Sequence, residues 1–186
     1  MKTAMLLVLA WTTLLMTHKQ ISAQDQGAAP PARVHNSFQF TIDASLNRTA
    51  PLFGPEGERC WAGQHWNPQF LYPSPAKDIE GAVFTVQHGP HKSVWVNTRF
   101  NLTSGQIQYV SFIPDAFVST VDVQLAAIDP STTGVTVTYS RTALSPAAND
   151  DVEALGAGDR DSGPHWQKAI ENCLKEQAPS PGGATR

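Results

Sequence analysis

The sequence predicts an α+β domain in which an antiparallel sheet curls around a C-terminal helix. Val135, Val137 and Tyr139 alternate with polar residues, so they share one face of a strand. A second pattern, with spacing i, i+3, i+4, i+7 and i+8, predicts an amphipathic helix with one apolar stripe: Trp166, Ala169, Ile170, Cys173 and Leu174. Short turn sequences separate consecutive strands, which favours antiparallel pairing. Because the sheet has one apolar face, we expect the helix to cover it.

The elements follow in order from the N-terminal side. A strand is predicted at residues 38–42, where Phe38, Phe40 and Ile42 alternate with polar residues. Residues 43–45 then cap a short helical segment that reaches residues 52–53 and is interrupted at Pro51. A stretch rich in proline and glycine occupies residues 54–75. Five more strands are predicted, at residues 81–87, 93–100, 106–113, 117–128 and 133–144.

The two ends of the chain predict export and flexibility. Lys2, an apolar run at residues 4–16 and a small-residue site at residues 21–23 are typical of a signal peptide, cleaved before Gln24. The run is shorter than the roughly 20 residues of a membrane-spanning helix. We therefore expect a protein exported to the periplasm or secreted, without a stable membrane anchor. The predicted organisation is a signal peptide (1–23), a flexible lead-in (24–34), one folded domain (35–177) and a disordered tail (178–186).

The charge of the chain argues against nucleic-acid binding. Cleavage would remove two of the 13 basic residues, Lys2 and Lys19, and none of the 16 acidic ones, leaving a net charge of −5. Binding to a phosphate backbone depends on clustered Lys and Arg side chains, and no such cluster is present. We therefore expect no nucleic-acid partner.

The two cysteines, Cys60 and Cys173, allow two interpretations. An exported protein meets oxidising conditions, which permit a disulfide between them. Alternatively, each is a small buried apolar side chain, since Cys173 lies in the helical stripe. Their spacing matches neither a zinc site nor a redox motif.

Aromatic residues are the candidate walls of a ligand pocket. They are Trp61, Trp66, Phe84, Trp95, Tyr109, Phe112, Tyr139 and Trp166. Buried aromatic side chains also fill the core of any small domain, so each one has a structural alternative. As a set they are typical of an enclosed apolar site for a small molecule.

Five polar residues are considered as candidates for chemistry. Arg141 has the same strand parity as Tyr139, so a regular strand points both inward, where arginine is costly unless paired. It either holds a ligand carboxylate or carbonyl, or lies at the strand end in water or on a partner such as Glu58. His65 is a candidate general base if it faces the cavity. Glu58 is interpreted as a structural anchor, and His88 with His91 as a solvated hairpin turn rather than half of a metal site.

Motifs of the common enzyme classes are absent from the sequence. It contains no nucleophile elbow, phosphate-binding loop, dinucleotide fingerprint or zinc-protease helix. The sequence therefore identifies no catalytic residue, and we predict no metal and no cofactor. The predicted ligand-binding set is Trp66, Phe84, Trp95, Tyr109, Tyr139, Arg141 and Trp166.

Short motifs give the chain a resemblance to a known superfamily. They are Glu58-x-x-Trp61, Trp66-x-Pro68, Gly81-Ala-Val-Phe84, Trp95-Val96, Tyr109-Val110-x-Phe112-x-Pro114, Val137-x-Tyr139-x-x-Thr142-Ala143-Leu144 and Trp166-x-x-Ala169-Ile170-x-x-x-Leu174. In order and spacing they resemble exported bacterial members of the START-like SRPBCC superfamily, which includes polyketide cyclases and birch-pollen-allergen-like proteins. The resemblance covers roughly residues 36–175.

This resemblance implies a helix-grip fold, a curved antiparallel sheet wrapped around a long C-terminal helix with a cavity between them. The sequence departs from the pattern at residues 156–164, where three glycines and Pro164 predict a break in the terminal helical region. A wider or more mobile cavity mouth is expected beside that break.

Three functions are compatible with these observations. The favoured one is an exported protein that holds a small hydrophobic or amphipathic ligand in an internal cavity. An enzyme of the polyketide cyclase or dehydratase type, using Tyr139, Arg141 or His65 to move protons, is the first alternative. An interaction module with a filled core is the second, and cavity volume distinguishes it from the other two.

Overall fold

A computed structural model describes residues 29–177, so the predicted signal peptide and the predicted tail at 178–186 lie outside the described residues. Within these residues the chain forms seven strands, three α-helices and three short 3₁₀ turns. In chain order these are β1 (Arg33–Ile42), α1 (Leu46–Thr49), 3₁₀ turns at Ala50–Phe53 and Gly57–Cys60, β2 (Gln69–Tyr72), β3 (Val83–His88), β4 (His91–Asn101), β5 (Gln106–Ile113), β6 (Phe117–Asp129), β7 (Thr132–Ala143), a 3₁₀ turn at Pro146–Ala148, α2 (Asn149–Asp159) and α3 (Gly163–Glu176).

All seven strands form one antiparallel sheet in the order β1-β7-β6-β5-β4-β3-β2. The first two strands of the chain therefore lie at opposite edges, and the segment between them crosses from one edge of the sheet to the other. Alternation assigns the faces: Val135 and Val137 are buried on the inner face, while Thr136 and Thr138 between them are partly exposed. The α+β class and the antiparallel sheet predicted from the sequence are confirmed.

Two features of the sheet differ from the prediction. Strand β1 begins at Arg33, inside the segment predicted to be a flexible lead-in, because Arg33 and Val34 pair with Thr142 and Arg141 of β7. Strand β2 lies in the stretch at residues 54–75, where no strand was predicted. It is a four-residue edge strand with a register shift, and it pairs with β3 alone. Such a short strand carries too little alternation to be recognised in the sequence.

The C-terminal helical region is split, as the glycines predicted, but the break is shorter than expected. Helix α2 continues through Gly156 and Gly158 to Asp159, and α3 starts at Gly163. Gly156 is required where α2 meets β1, because a Cβ atom there would lie 2.9 Å from the side chain of Val34. The break therefore spans residues 160–162, and Pro164 fits the first turn of α3, where a missing N–H costs nothing.

The main core lies between the inner face of the sheet and α3. The fully buried side chains include Ile42, Phe53, Phe84, Ile107, Val137 and Ile170. A disulfide joins Cys60 of the second 3₁₀ turn to Cys173 of α3, with 5.7 Å between the Cα atoms, so the first of the two interpretations of these cysteines holds. Within residues 29–177, no helix is long and apolar enough to cross a membrane.

Candidate functional site

A cavity of about 440 Å³ lies between the inner face of the sheet, the loop at residues 58–66 and the start of α3. We call it the aromatic chamber, because six aromatic side chains line it: Trp61, Trp66, Trp95, Tyr109, Tyr139 and Trp166. Val121, Val123, Ala62 and Ala169 complete its apolar wall. His65 and His165 are exposed and line the chamber as well, so they mark its rim.

The tryptophans of the aromatic chamber pack against one another. The ring centroids of Trp61 and Trp166 are 4.9 Å apart, and those of Trp66 and Trp95 are 5.4 Å apart with nearly perpendicular rings. Three indole N–H groups donate to other atoms: Trp61 to the Leu52 carbonyl, Trp66 to the Pro55 carbonyl and Trp95 to the Ser93 hydroxyl. Because these polar edges are already paired, the three rings offer a ligand their apolar surface.

Glu58 places a carboxyl group in this apolar setting. The residue is only 9 % exposed, it lines the aromatic chamber, and its side chain makes no hydrogen bond within residues 29–177. Burial raises the pKa of the Glu58 carboxyl well above its usual range, and the neighbouring Asp78 raises it further. Glu58 is therefore a buried acid with a strong tendency to keep its proton.

Asp78 holds the backbone that carries Glu58. Its two carboxylate oxygens accept hydrogen bonds from the backbone N–H groups of Glu56 and Gly57, at 2.8 and 3.2 Å. Gly54 makes this possible, because a Cβ atom at that position would collide with the Asp78 side chain. Asp78 is thus a positioning residue for the turn that points Glu58 into the chamber.

Two tyrosines contribute hydroxyl groups with different roles. The Tyr109 hydroxyl donates to the backbone carbonyl of Phe53, so it fixes the loop over the sheet. The Tyr139 hydroxyl has no hydrogen-bond partner among the described residues. Burial raises the pKa of Tyr139, although Arg141 opposes this effect, so the phenol is neutral at physiological pH. Glu58, Tyr139 and the indole N–H of Trp166 are therefore polar groups of the aromatic chamber without a hydrogen-bond partner among the described residues.

A second space of about 300 Å³ adjoins the first and shares Trp95, Val121 and Tyr139 with it. We call it the serine chamber, because Ser111 and Ser119 sit opposite each other on β5 and β6, both almost fully buried. Arg141 follows in the same cross-strand row. Its guanidinium forms a buried ion pair with Asp159 of α2, and it stacks over the Tyr139 ring at 4.1 Å from the centroid.

The structure brings together most of the predicted ligand-binding residues. Trp66, Trp95, Tyr109, Tyr139 and Trp166 line the aromatic chamber, and Arg141 lines the serine chamber. Arg141 points inward as predicted, but its partner is Asp159, not Glu58. Because that partner neutralises its charge, Arg141 is not a free cation for a ligand carboxylate.

Phe84 is a correction to the predicted set. It is fully buried behind the chamber wall, where it packs against Phe70, Trp66 and Trp95, and it lines neither chamber. Phe112, also considered as a wall residue, is 42 % exposed because its parity places it on the outer face of β5.

Sequence reasoning missed the roles of Glu58 and His165. The Glu58-x-x-Trp61 spacing was visible, but it was interpreted as structural, and only the surrounding tryptophans show that the carboxyl is desolvated. His165 stands one residue before Trp166, outside the apolar stripe, and carried no signal. Within the described part of the chain, no group of three or more His, Cys, Asp or Glu side chains is placed to hold a metal ion.

Comparison with solved structures identifies the fold. Norcoclaurine synthase from Thalictrum flavum is similar over 94 % of this chain and 100 % of its own, with a TM-score of 0.57 and 8 % sequence identity. The same synthase has been solved in complex with dopamine and hydroxybenzaldehyde. A hypothetical protein, jhp0584 from Helicobacter pylori, covers 92 % of this chain and 98 % of its own, with a TM-score of 0.58 and 8 % identity.

Ara h 8.0201 aligns with 77 % of this chain and 99 % of its own length, with a TM-score of 0.53 and 14 % identity. The sequence matches no protein-family model and no curated protein. These likenesses confirm the helix-grip fold that the sequence resemblance implied. At such low identity they establish the fold alone, and function must be argued from the site.

Proposed function

We propose that this chain is an exported binding protein that holds one small hydrophobic or amphipathic molecule between its sheet and α3. The observation that carries the proposal is the aromatic chamber, about 440 Å³ in volume and walled by six aromatic side chains. This volume lies within the range of small-molecule sites, and apolar walls with a few placed polar groups are their usual composition. In the same fold, norcoclaurine synthase accommodates two small aromatic molecules.

Export is supported by the disulfide and by the N-terminal sequence. A bond between Cys60 and Cys173 forms in oxidising compartments and is rare in the cytosol. The signal-like residues 1–23 predict the same destination. Intact-mass measurement of protein recovered from the periplasm or the medium should give a chain that begins at Gln24. A full-length chain in the membrane fraction would contradict export.

Ligand binding is tested with an apolar fluorescent dye. We expect one dye per chain, quenching of tryptophan fluorescence, and displacement by fatty acids or similar amphiphiles. Binding should also raise the melting temperature, because the unfolded chain lacks the chamber. Ala169 lines the chamber on α3, so Ala169→Phe should fill part of it and weaken binding. Ala157→Phe is the matched control, since Ala157 is exposed on α2.

Saturable binding that Ala169→Phe leaves unchanged would place the dye elsewhere. Absence of any saturable binding would favour the third function, an interaction module.

An enzyme of the cyclase or dehydratase type is a second candidate, and Glu58 is the observation that favours it. A carboxyl group whose pKa is raised by burial is suited to give or take a proton near neutral pH. Tyr139 is the second proton-bearing group of the chamber. Turnover of a bound carbonyl compound that Glu58→Gln abolishes, with little change in its binding, would establish the enzyme.

A further inference from the structure

We propose that the aromatic chamber binds an organic cation, an ammonium group carried on a small apolar body, with Glu58 as its counter-ion. This proposal rests on the proposed function, because it concerns the same cavity. It goes further by naming the chemical class of the ligand.

The walls of the chamber favour a positive charge. Trp61, Trp66 and Trp95 have their indole N–H groups engaged by protein acceptors, so their ring surfaces and not their N–H edges are available. Aromatic ring faces carry negative electrostatic potential and attract ammonium groups, most strongly when the cation is desolvated. The faces of these three rings therefore favour a cation over an anion of the same size.

Glu58 supplies the opposite charge. Its carboxyl is 9 % exposed, lines the chamber and has no hydrogen-bond partner among residues 29–177. An unpaired carboxylate is costly in such a setting, so the free protein keeps the group protonated. A cation that enters provides the missing partner, and the carboxyl then releases its proton to solvent.

The positive charges nearby do not compete for Glu58. Arg141 is neutralised by Asp159 and lies in the serine chamber, on the other side of Tyr139. The titratable groups around Glu58 are Asp78 from the loop before β3, Tyr109 of β5, Tyr139 of β7, His165 of α3, and Arg59 and His65 of its own loop. The Arg59 guanidinium pairs with Glu56. Protonation of either rim histidine would repel a bound cation.

Two probes of the same shape isolate the charge. Benzyltrimethylammonium and its carbon isostere neopentylbenzene differ in one atom and one charge, and neither donates a hydrogen bond. At pH 7 the wild-type protein should bind the cation about tenfold or more tightly than the neutral isostere. In Glu58→Gln this preference should fall by about fivefold or more, because only the ring faces remain to favour the cation, while the neutral isostere keeps its affinity within about threefold. Glu56→Gln, at a partly exposed acid outside the chamber, is the control and should keep the preference.

The pH dependence of the wild-type protein gives a test that needs no variant. Cation affinity should rise with pH as Glu58 ionises, whereas affinity for the neutral isostere should stay flat. Calorimetric titrations in two buffers of different ionisation enthalpy should show release of up to one proton per bound cation. Protonation of His65 or His165 at low pH would also weaken binding of the cation. Loss of the proton release in Glu58→Gln assigns it to the carboxyl.

Four results would overturn the inference. Equal affinity for both probes in the wild-type protein, or a cation preference that folded Glu58→Gln retains undiminished, would refute an ammonium site with Glu58 as counter-ion while leaving apolar binding intact. A flat pH profile for the cation would do the same. If neither these probes nor the apolar dye bind, the proposed function itself is wrong, and this inference is overturned with it.

Discussion

Glu58 lies in a short polar stretch, Pro55-Glu-Gly-Glu-Arg59, that resembles a surface loop in sequence. In the folded chain the turn directs Glu58 inward, whereas Glu56, two residues earlier, faces outward and pairs with Arg59. The two acids therefore have different electrostatic surroundings despite their proximity. Burial, not the identity of the side chain, makes Glu58 the chemically distinctive group of this protein.

The cost of ionising Glu58 predicts a pH-dependent effect on stability. Its pKa is raised in the folded state above the ordinary value of 4.5, so above that pH the unfolded chain releases a proton that the folded chain retains. Stability therefore falls as pH rises through this window, and it is unaffected below it. Glu58→Gln should increase the free energy of unfolding at pH 7, and the gain should vanish below about pH 4.

Urea denaturation across this pH range measures the effect. Asp78 raises the pKa of Glu58, so part of the gain in Glu58→Gln comes from removal of that repulsion. Glu56→Gln should change the free energy of unfolding only slightly, without the gain at pH 7 that Glu58→Gln shows. A gain that is the same at pH 4 and pH 7 would contradict the raised pKa.

Asn97 on β4 gives a second prediction, unconnected with ligand binding. Its side chain is fully buried, and neither its amide nitrogen nor its amide oxygen has a hydrogen-bond partner within the described residues. An unsatisfied buried amide costs about 1–3 kcal/mol. Asn97→Leu, which keeps a similar volume, should therefore raise the free energy of unfolding by about 1 kcal/mol. Thermal denaturation that shows a loss of stability would mean that the amide is satisfied in solution.

The C-terminal region contains, in addition to the helix that covers the sheet, a second helix, α2. It packs against β1 and β7, and its carbonyl at Gly156 accepts a hydrogen bond from Asn36 of β1. Its last residue, Asp159, forms the buried ion pair with Arg141 of β7. The ion pair thus fixes the end of α2 at the position where the helical region breaks, and it closes one side of the serine chamber.

Breaking this ion pair should be more harmful than replacing it. Asp159→Asn leaves the Arg141 charge buried without a partner and should lower the free energy of unfolding by about 3–5 kcal/mol. The double replacement Arg141→Met with Asp159→Leu removes both charges and should recover most of that loss. Asp161→Asn, at an exposed position two residues later, should have little effect. Additive losses in the double-mutant cycle, measured by urea denaturation, would contradict a coupled pair.

The disulfide connects the loop at residues 58–66 to α3, and these two elements form two sides of the aromatic chamber. Cys60 ends the turn that carries Glu58 and precedes Trp61, while Cys173 lies on α3, which carries Trp166 and Ala169. The bond joins positions 113 residues apart, so it restricts the unfolded chain strongly. It therefore stabilises both the fold and the spacing of the chamber walls.

Removal of the disulfide should lower the free energy of unfolding by about 2–5 kcal/mol, the range typical of native disulfides, and chain entropy places a loop of this length near the upper end. Replacing Cys60 and Cys173 together with serine avoids a free thiol. Dithiothreitol should lower the melting temperature of the wild-type protein toward that of the double variant and leave the variant unchanged. Equal stability of the two oxidised proteins would contradict a stabilising bond.

Local patterns in the sequence predicted most of the sheet. Strand β5 was predicted at the residues where it occurs, and the boundaries of β6 and β7 differ from the prediction by one residue. The inward direction of Tyr139 and Arg141 also followed from sequence, because side chains alternate along a strand with a period of two. Likewise, the apolar stripe of α3 and the break before it were predictable, because both depend on residues close together in the sequence.

Contacts between distant residues decided the rest. In the structure Arg141 pairs with Asp159. Phe84 lies behind the wall that Trp66 and Trp95 form, and Glu58 is buried although its sequence resembles a surface loop. Each outcome depends on which side chains meet in the folded protein, and the repeat pattern of neighbouring residues does not specify such contacts. Desolvation and charge pairing are set by the three-dimensional surroundings of a group, and for this reason the site was only partly foreseeable.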